Sequence, residues 1–182
     1  MTETVHCTPL DEPSPWVSRF AALVRQGAAV LDVACGGGRH CRVFLDLGHA
    51  VTALDRDLSR LAVARNEPGF TALEVDLEDG GPWPLEGRTF GAVVVTNYLY
   101  RPLFPALMAS LEPGGLLIYE TFALGNERFG RPRNPDHLLK PGELLDAVGG
   151  RLVVIAYEDI ERPAPKRARI QRICARSPGS SP

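Results

Sequence analysis

Along this chain, short apolar runs of strand length alternate with segments whose apolar residues recur at helical spacing. Trp16, Val17, Phe20, Leu23 and Val24 fall on one helical face. "AAVLDV" (28–33) reads as a strand ending in Gly36, Gly37 and Gly38, after which Val43, Phe44 and Leu47 line one side of a helix. "HAVTALD" (49–55) is a second strand; Leu58, Leu61 and Ala62 then predict a short helix, with Asp57 as its cap. "FTALEVD" (70–76) and "FGAVVVTN" (90–97) are the third and fourth strands. "PLFPALMASL" (102–111) has helical spacing, "EPGG" turns the chain, and "LLIYETF" (116–122) is a fifth strand. Strands alternating with helices imply βαβ units and a parallel sheet covered on both faces.

Two stretches break the rhythm. "LEDGGPWPLEGRT", between the third and fourth strands, is barely long enough for a parallel crossover, so its helix should be short or absent. After the fifth strand, residues 123–142 form a long irregular segment rich in Gly, Pro, Asn and Arg; loops of that length are usually functional, and a mobile lid is expected. "ELLDAV" is a short helix. "RLVVIAYEDI" and "RARIQRICAR" are two strands of a hairpin joined by "ERPAPK". The expected organisation is an N-terminal arm (1–14), one domain (15–176) and a disordered tail (177–182).

A strand running into glycines and then a helix exposes backbone amides to a ligand. A phosphate-binding P-loop would need Lys followed by Ser or Thr where this chain has Arg39 and His40. A dinucleotide fingerprint starting at Gly36 would require glycine at Cys41. Acids at strand ends narrow the choice. Asp32, Asp55 and Asp76 close the first three strands, on one edge of a parallel sheet. A carboxylate can take two hydrogen bonds from a ribose diol, a third acid suits an adenine amino group, and carboxylates would repel a pyrophosphate. The expected ligand is a neutral or cationic nucleoside.

Composition excludes more than it adds. A formal net charge of −2 offers no bulk attraction to nucleic acid or an anionic membrane, and 45% hydrophobic with 23% charged residues is ordinary for a globular protein. No apolar run reaches the roughly 20 residues a membrane helix needs. Cys7, Cys35, Cys41 and Cys174 form no CxxC pair, so no metal site is expected, and a cytoplasmic location is.

Taken in order, "VLDVACGGGRH", "VTALDRD", "EVDLED", "VVVTNYLYRP" and "LEPGGLLIYETF" resemble the motifs of the class I S-adenosylmethionine-dependent methyltransferases, over residues 16–176. Within them the chain looks most like small bacterial enzymes of the tellurite-resistance type. The resemblance implies a Rossmann-like, doubly wound α/β sheet of order 3-2-1-4-5-7-6 with strand 7 antiparallel, and S-adenosylmethionine as cofactor, with S-adenosylhomocysteine as product. It implies that Ala34, Gly36 and Gly38 lie under the methionine part, with Asp32 orienting that loop or binding the amino group through water. Family members more often carry glycine where this chain has Ala34. Asp55 would hold the ribose, with Arg56 beside the adenine. Asp76 and Leu77 would read the adenine edge, and Asn97 would flank the sulfonium.

Substrate contacts are expected from Trp16, Tyr98 and Tyr100 roofing the crevice, and from Arg128 and Arg131 clamping an anion. His40 reads as a solvated neutral histidine in a helix's first turn. Glu120 is a candidate base with an equally good structural reading, and no catalytic residue is assigned. The expected acceptor is a small molecule, a thiol or a small anion, with nucleic acid disfavoured. Two alternatives stand beside it: an RNA or protein methyltransferase working with a partner, for which the basic residues 128–140 and 166–169 are the candidate surface, and a non-catalytic cofactor-binding regulator.

Overall fold

The computed structural model describes residues 12–179. Residues 1–11 of the expected arm and 180–182 of the expected tail lie outside the described residues. The elements run α1 (Pro15–Ala21), β1 (Val30–Val33), α2 (Arg39–Asp46), β2 (Val51–Asp55), β3 (Phe70–Glu74), β4 (Phe90–Thr96), α3 (Phe104–Ala109), β5 (Leu111–Phe122), α4 (Glu143–Val148), β6 (Val153–Arg162) and β7 (Ala168–Arg176). Short 3₁₀ turns occupy Arg101–Leu103, Asn126–Arg128 and Pro135–His137.

The seven strands form one sheet in the order β3-β2-β1-β4-β5-β7-β6, as the sequence resemblance implied. Strands β1 to β5 pair in parallel; β7 runs antiparallel to both β5 and β6. The carboxyl ends of the five parallel strands therefore share one edge. Alternate residues feed two cores. Val30, Ala92, Val94, Leu116 and Ile118 pack beneath α1 and α2 with Trp16, Phe20 and Phe44. Leu31, Val33, Val93, Val95, Leu117 and Tyr119 face the opposite layer with Leu107, Leu144 and Val148. Strands buried on both faces explain why β4 reads as a continuous apolar run and β1 as one broken only by the buried Asp32.

Two local expectations are corrected. No helix forms over residues 56–69. Asp57 Oδ1 instead accepts from the Ser59 amide in a turn, and Ala62 N–H donates to Gly37 O. Leu58 and Val63 are buried, so the apolar spacing there reflects anchoring under the glycine loop rather than helix. The "EPGG" turn does not delay β5, which begins at Leu111. The ladder with β4 slips between Phe90 and Ala92, and residues 112–115 make the excursion inside the strand. Between β3 and β4 no helix forms, as the short Gly- and Pro-rich connection predicts.

Candidate active site

The site starts from the turn after β1. Ala34 leaves the strand with φ 54°, and Gly36 and Gly38 follow at φ 55° and 76°. Left-handed backbone costs an L-residue about 1–2 kcal/mol, so Ala34 stores strain where glycine would not. Asn97, at the end of β4, is the other non-glycine residue with positive φ among the described residues, at 55°. Gly38 caps α2, and any side chain there would collide: a Cβ would lie 2.8 Å from Leu61 Cδ1 and 3.3 Å from Val63 Cγ2. The loop is tied to its neighbour strand by Asp55. Its Oδ2 accepts from the Gly36 amide at 2.7 Å, and its Oδ1 accepts from the Asp57 amide at 3.0 Å. An ionised carboxylate has about four acceptor positions, so two remain for a bound diol.

These strand ends surround a crevice of about 530 Å³. Ala34 contributes from β1, Asp55 and Arg56 from β2, and Asp76, Leu77 and Glu78 from β3. Asn97, Tyr98 and Leu99 follow β4, Thr121 and Phe122 close β5, and Pro132 and His137 reach in from the irregular segment. The end at β2 and β3 carries three carboxylates, whereas the end at β5 is lined by apolar and neutral groups with one histidine.

Residues 30–115 match a methyltransferase domain family. The ubiquinone biosynthesis O-methyltransferase of Xanthomonas campestris pv. campestris (strain B100) is 30% identical over 177 residues, spanning 82% of this chain and 73% of that protein. The chain belongs to the S-adenosylmethionine-dependent methyltransferases. It is also 27% identical over 169 residues to the ribosomal RNA small subunit methyltransferase H of Gemmatimonas aurantiaca, matching 89% of this chain but spanning only about half (52%) of that relative. TehB of Haemophilus influenzae superposes with a TM-score of 0.71 over 88% of this chain and 61% of TehB, at 16% identity, which is a likeness of fold.

Of the residues the methyltransferase resemblance nominated for the cofactor, Ala34, Asp55, Arg56, Asp76, Leu77 and Asn97 all line the crevice. Gly36 and Gly38 shape its loop from behind. Asp32 does not join them. It is 1% exposed and turned toward α2, where Cys41 Sγ donates to its Oδ2 at 3.1 Å. Burial pushes its carboxyl up to about 7, against the opposing pull of the Cys41 hydrogen bond and Arg39. The three strand-end acids therefore do not share one crevice; only Asp55 and Asp76 do.

Several substrate candidates also lie elsewhere. Trp16 is 1% exposed, and its Nε1 donates to Ile173 O while Arg172 stacks on its ring. It belongs to the core under α1 and roofs nothing. Tyr98 faces the same crevice, but Tyr100 lines a neighbouring cleft of about 590 Å³ with Trp83, Pro82 and Pro84. Arg128 is held over Phe129 and beside Glu161 of β6, 3.5 Å away, and Arg131 is exposed; neither lines the crevice. His40 is buried, 1% exposed, rather than solvated. Its Nε2 accepts from the Ser14 amide at 3.1 Å, which leaves Nδ1 to donate to Thr96 Oγ1 at 3.3 Å. Burial, with Arg39 adjacent, pushes this imidazole down to about 3. Glu120 is buried in the same network, accepting from Ser14 Oγ at 2.9 Å and Arg172 at 3.1 Å. Its placement is structural.

Val75, Glu78, Leu99, Thr121, Phe122, Pro132 and His137 line the crevice without having been nominated from the sequence. The irregular segment drew attention for its arginines, yet it is the histidine two residues after "NP" that reaches the crevice. The backbone on either side of it is held by Arg101, 36 positions earlier, which no local pattern could signal.

Proposed function

We propose that the protein transfers the methyl group of S-adenosylmethionine to a small molecule bound in the crevice, releasing S-adenosylhomocysteine. The observation that carries this reading is the division of a single crevice into a carboxylate-rich end and a largely neutral end, meeting at Asn97. Asp55 and Asp76 would hold the ribose and the adenine edge, Ala34 and the glycine loop would underlie the methionine part, and Asn97 would flank the sulfonium. The acceptor would enter from Thr121, Phe122, Pro132 and His137. A crevice of about 530 Å³ falls in the range of small-ligand sites. Methyl transfer from a sulfonium needs chiefly in-line alignment of acceptor, methyl and sulfur in a dry site.

Of the small acceptors suggested by sequence, a thiol or a small anion, the anion loses its support, because Arg128 and Arg131 do not line the crevice. Part of the basic surface considered for RNA is paired with acids: Arg128 and Arg167 sit on Glu161, and Arg169 on Asp159. That favours a small acceptor over a nucleic acid reached with a partner. The buried free thiols Cys35, Cys41 and Cys174 suit a cytoplasmic setting. Calorimetry with S-adenosylmethionine, S-adenosylhomocysteine and NAD tests the cofactor; heat from NAD alone would end this reading. Labelled-methyl transfer to thiols, phenols, oxyanions and total RNA tests the acceptor class, and label found only in RNA would overturn it.

A further inference from the structure

The neutral end of the crevice holds one group able to take a proton. Tyr98 is hydrogen-bonded to Glu78, and burial pushes its phenol upward, so it stays protonated. Glu120 and His40 lie on the opposite face of the sheet, locked with Ser14. Asp55 already accepts from Gly36 and Asp57 at the cofactor end. His137 remains, exposed and facing the crevice beside Phe122 and Pro132.

Its backbone is held with unusual thoroughness for a residue in an irregular segment. Asn134 Oδ1 accepts from the Asp136 amide at 3.0 Å, capping the 3₁₀ turn that carries His137. Arg101 then clasps both chain neighbours of the histidine: one terminal nitrogen donates to Asp136 O at 2.6 Å, the other to Leu138 O at 2.9 Å. The guanidinium is itself oriented by a two-point bond to Glu143, at 2.6 and 3.0 Å. Leu138 and Leu139 are buried immediately behind. Few side chains other than arginine could make this four-point clamp, since it needs a planar fork of several donors.

Resting on the methyltransferase reading above, we propose that His137 accepts the proton of an aromatic hydroxyl acceptor during methyl transfer, and that Arg101 is its positioning residue. The acceptor ring packs on the flat apolar lining of Phe122, Pro132 and Leu99. In the step, the O–H bond breaks and its proton passes to an imidazole nitrogen. The oxygen's electron pair forms the O–CH₃ bond, and the S–CH₃ bond breaks with its pair retained by sulfur. The positive charge moves from sulfonium to imidazolium, and nothing is oxidised or reduced.

The test uses catechol as a hydroxyl probe and benzenethiol, already ionised at the assay pH, as a probe that needs no base. His137→Ala should lower kcat on catechol by about 10²–10⁴-fold while sparing benzenethiol turnover and S-adenosylhomocysteine affinity, and added imidazole should restore catechol methylation. Arg101→Lys should lower kcat on catechol by about tenfold with the melting temperature and cofactor affinity kept as controls of folding, and should add nothing in the His137→Ala background. Equal losses on both probes, no loss on catechol, or fully additive effects would overturn the proposal. Wild-type protein that binds S-adenosylmethionine yet leaves catechol unmethylated would also overturn it. Failure to bind the cofactor at all would instead remove the methyltransferase reading beneath it.

Discussion

The two ends of the crevice are built by different means. The β2–β3 end is made of residues at or just beyond the ends of two paired strands, so a sheet register leads directly to them: Asp55 stands opposite Glu74 of β3, with Asp76 two residues further on. The β5 end adds to Thr121 and Phe122 of the strand an irregular segment whose residues are placed by side chain-to-backbone bonds across the fold, Arg101 on the flanks of His137 and Asn126 on Pro132 O and the Arg169 amide. A sheet register is rigid and fixes a ligand that must always sit the same way. A clasped loop can be rebuilt by changing a few residues without disturbing the core, which is where an acceptor preference can diverge.

The comparison breaks most visibly at Asp55. Asp55→Ala should weaken S-adenosylhomocysteine binding by about 2–3 kcal/mol, or about 30- to 150-fold, since in the proposed binding mode it removes an acceptor from the ribose, and it releases the Gly36 amide. Calorimetry reads the affinity, and hydrogen exchange at Gly36 should quicken in the same variant. An unchanged dissociation constant would move the ribose to another part of the crevice.

Gly38→Ala should come next, costing about 1–3 kcal/mol in urea unfolding, because the new Cβ meets Leu61 and Val63 at a φ of 76°. Retention of full stability would mean that the loop repacks freely.

A pH experiment sharpens the contrast between crevice and interior. Asp32 titrates at about 7 instead of its ordinary 3.8, so the native state holds the extra proton across that window, and this group's contribution to stability falls as pH rises from about 4 to about 7. His40 titrates at about 3 instead of 6.5, so the native state lacks a proton that the unfolded chain binds, and its contribution is lost as pH falls through the same range. The two slopes oppose each other. Asp32→Asn should leave the His40 slope uncompensated, and the melting temperature should climb more steeply with pH than in the wild type. Identical slopes would show that Asp32 is ionised in the native protein.

Ala34→Gly should be a small gain, about 0.5 kcal/mol in urea unfolding, as relief of a left-handed alanine outweighs the entropy returned to the unfolded chain. Replacing Arg128 and Arg131 together by glutamine should have the smallest effect. Arg128 is 62% exposed and paired at 3.5 Å, so the change should alter stability by under about 0.5 kcal/mol and leave acceptor turnover as it was. A raised acceptor KM in that double variant would return the arginines to the site.

The same division explains what could be read from the sequence. The parallel strands, the glycine loop and the lining acids Asp55 and Asp76 were legible because each lies on or follows an apolar run, whereas the strand order followed from the family resemblance. Asp32 misled because it also closes such a run; the alternation of a strand's side chains put it on the α2 face, where Cys41 meets it. Leu58, Leu61 and Ala62 mimicked a helix by spacing alone: Leu58 is buried, Leu61 is half-buried against the glycine loop, and Ala62 is exposed with its amide bonded to Gly37 O. His137 and Arg101 were illegible for a different reason: their relationship exists only as hydrogen bonds between side chain and backbone across 35 to 37 positions.

The bond from Trp16 Nε1 to Ile173 O carries a consequence for how the chain is made. A ribosome releases Trp16 long before β7, so the indole has no permanent home until the chain has grown through Ile173. Until then α1 can adopt its local turns but cannot dock, since Ser14, which caps it, also waits for Glu120 of β5. Nascent chains arrested before residue 168 should therefore show a solvent-accessible tryptophan at position 16, and release of the last strand should bury it.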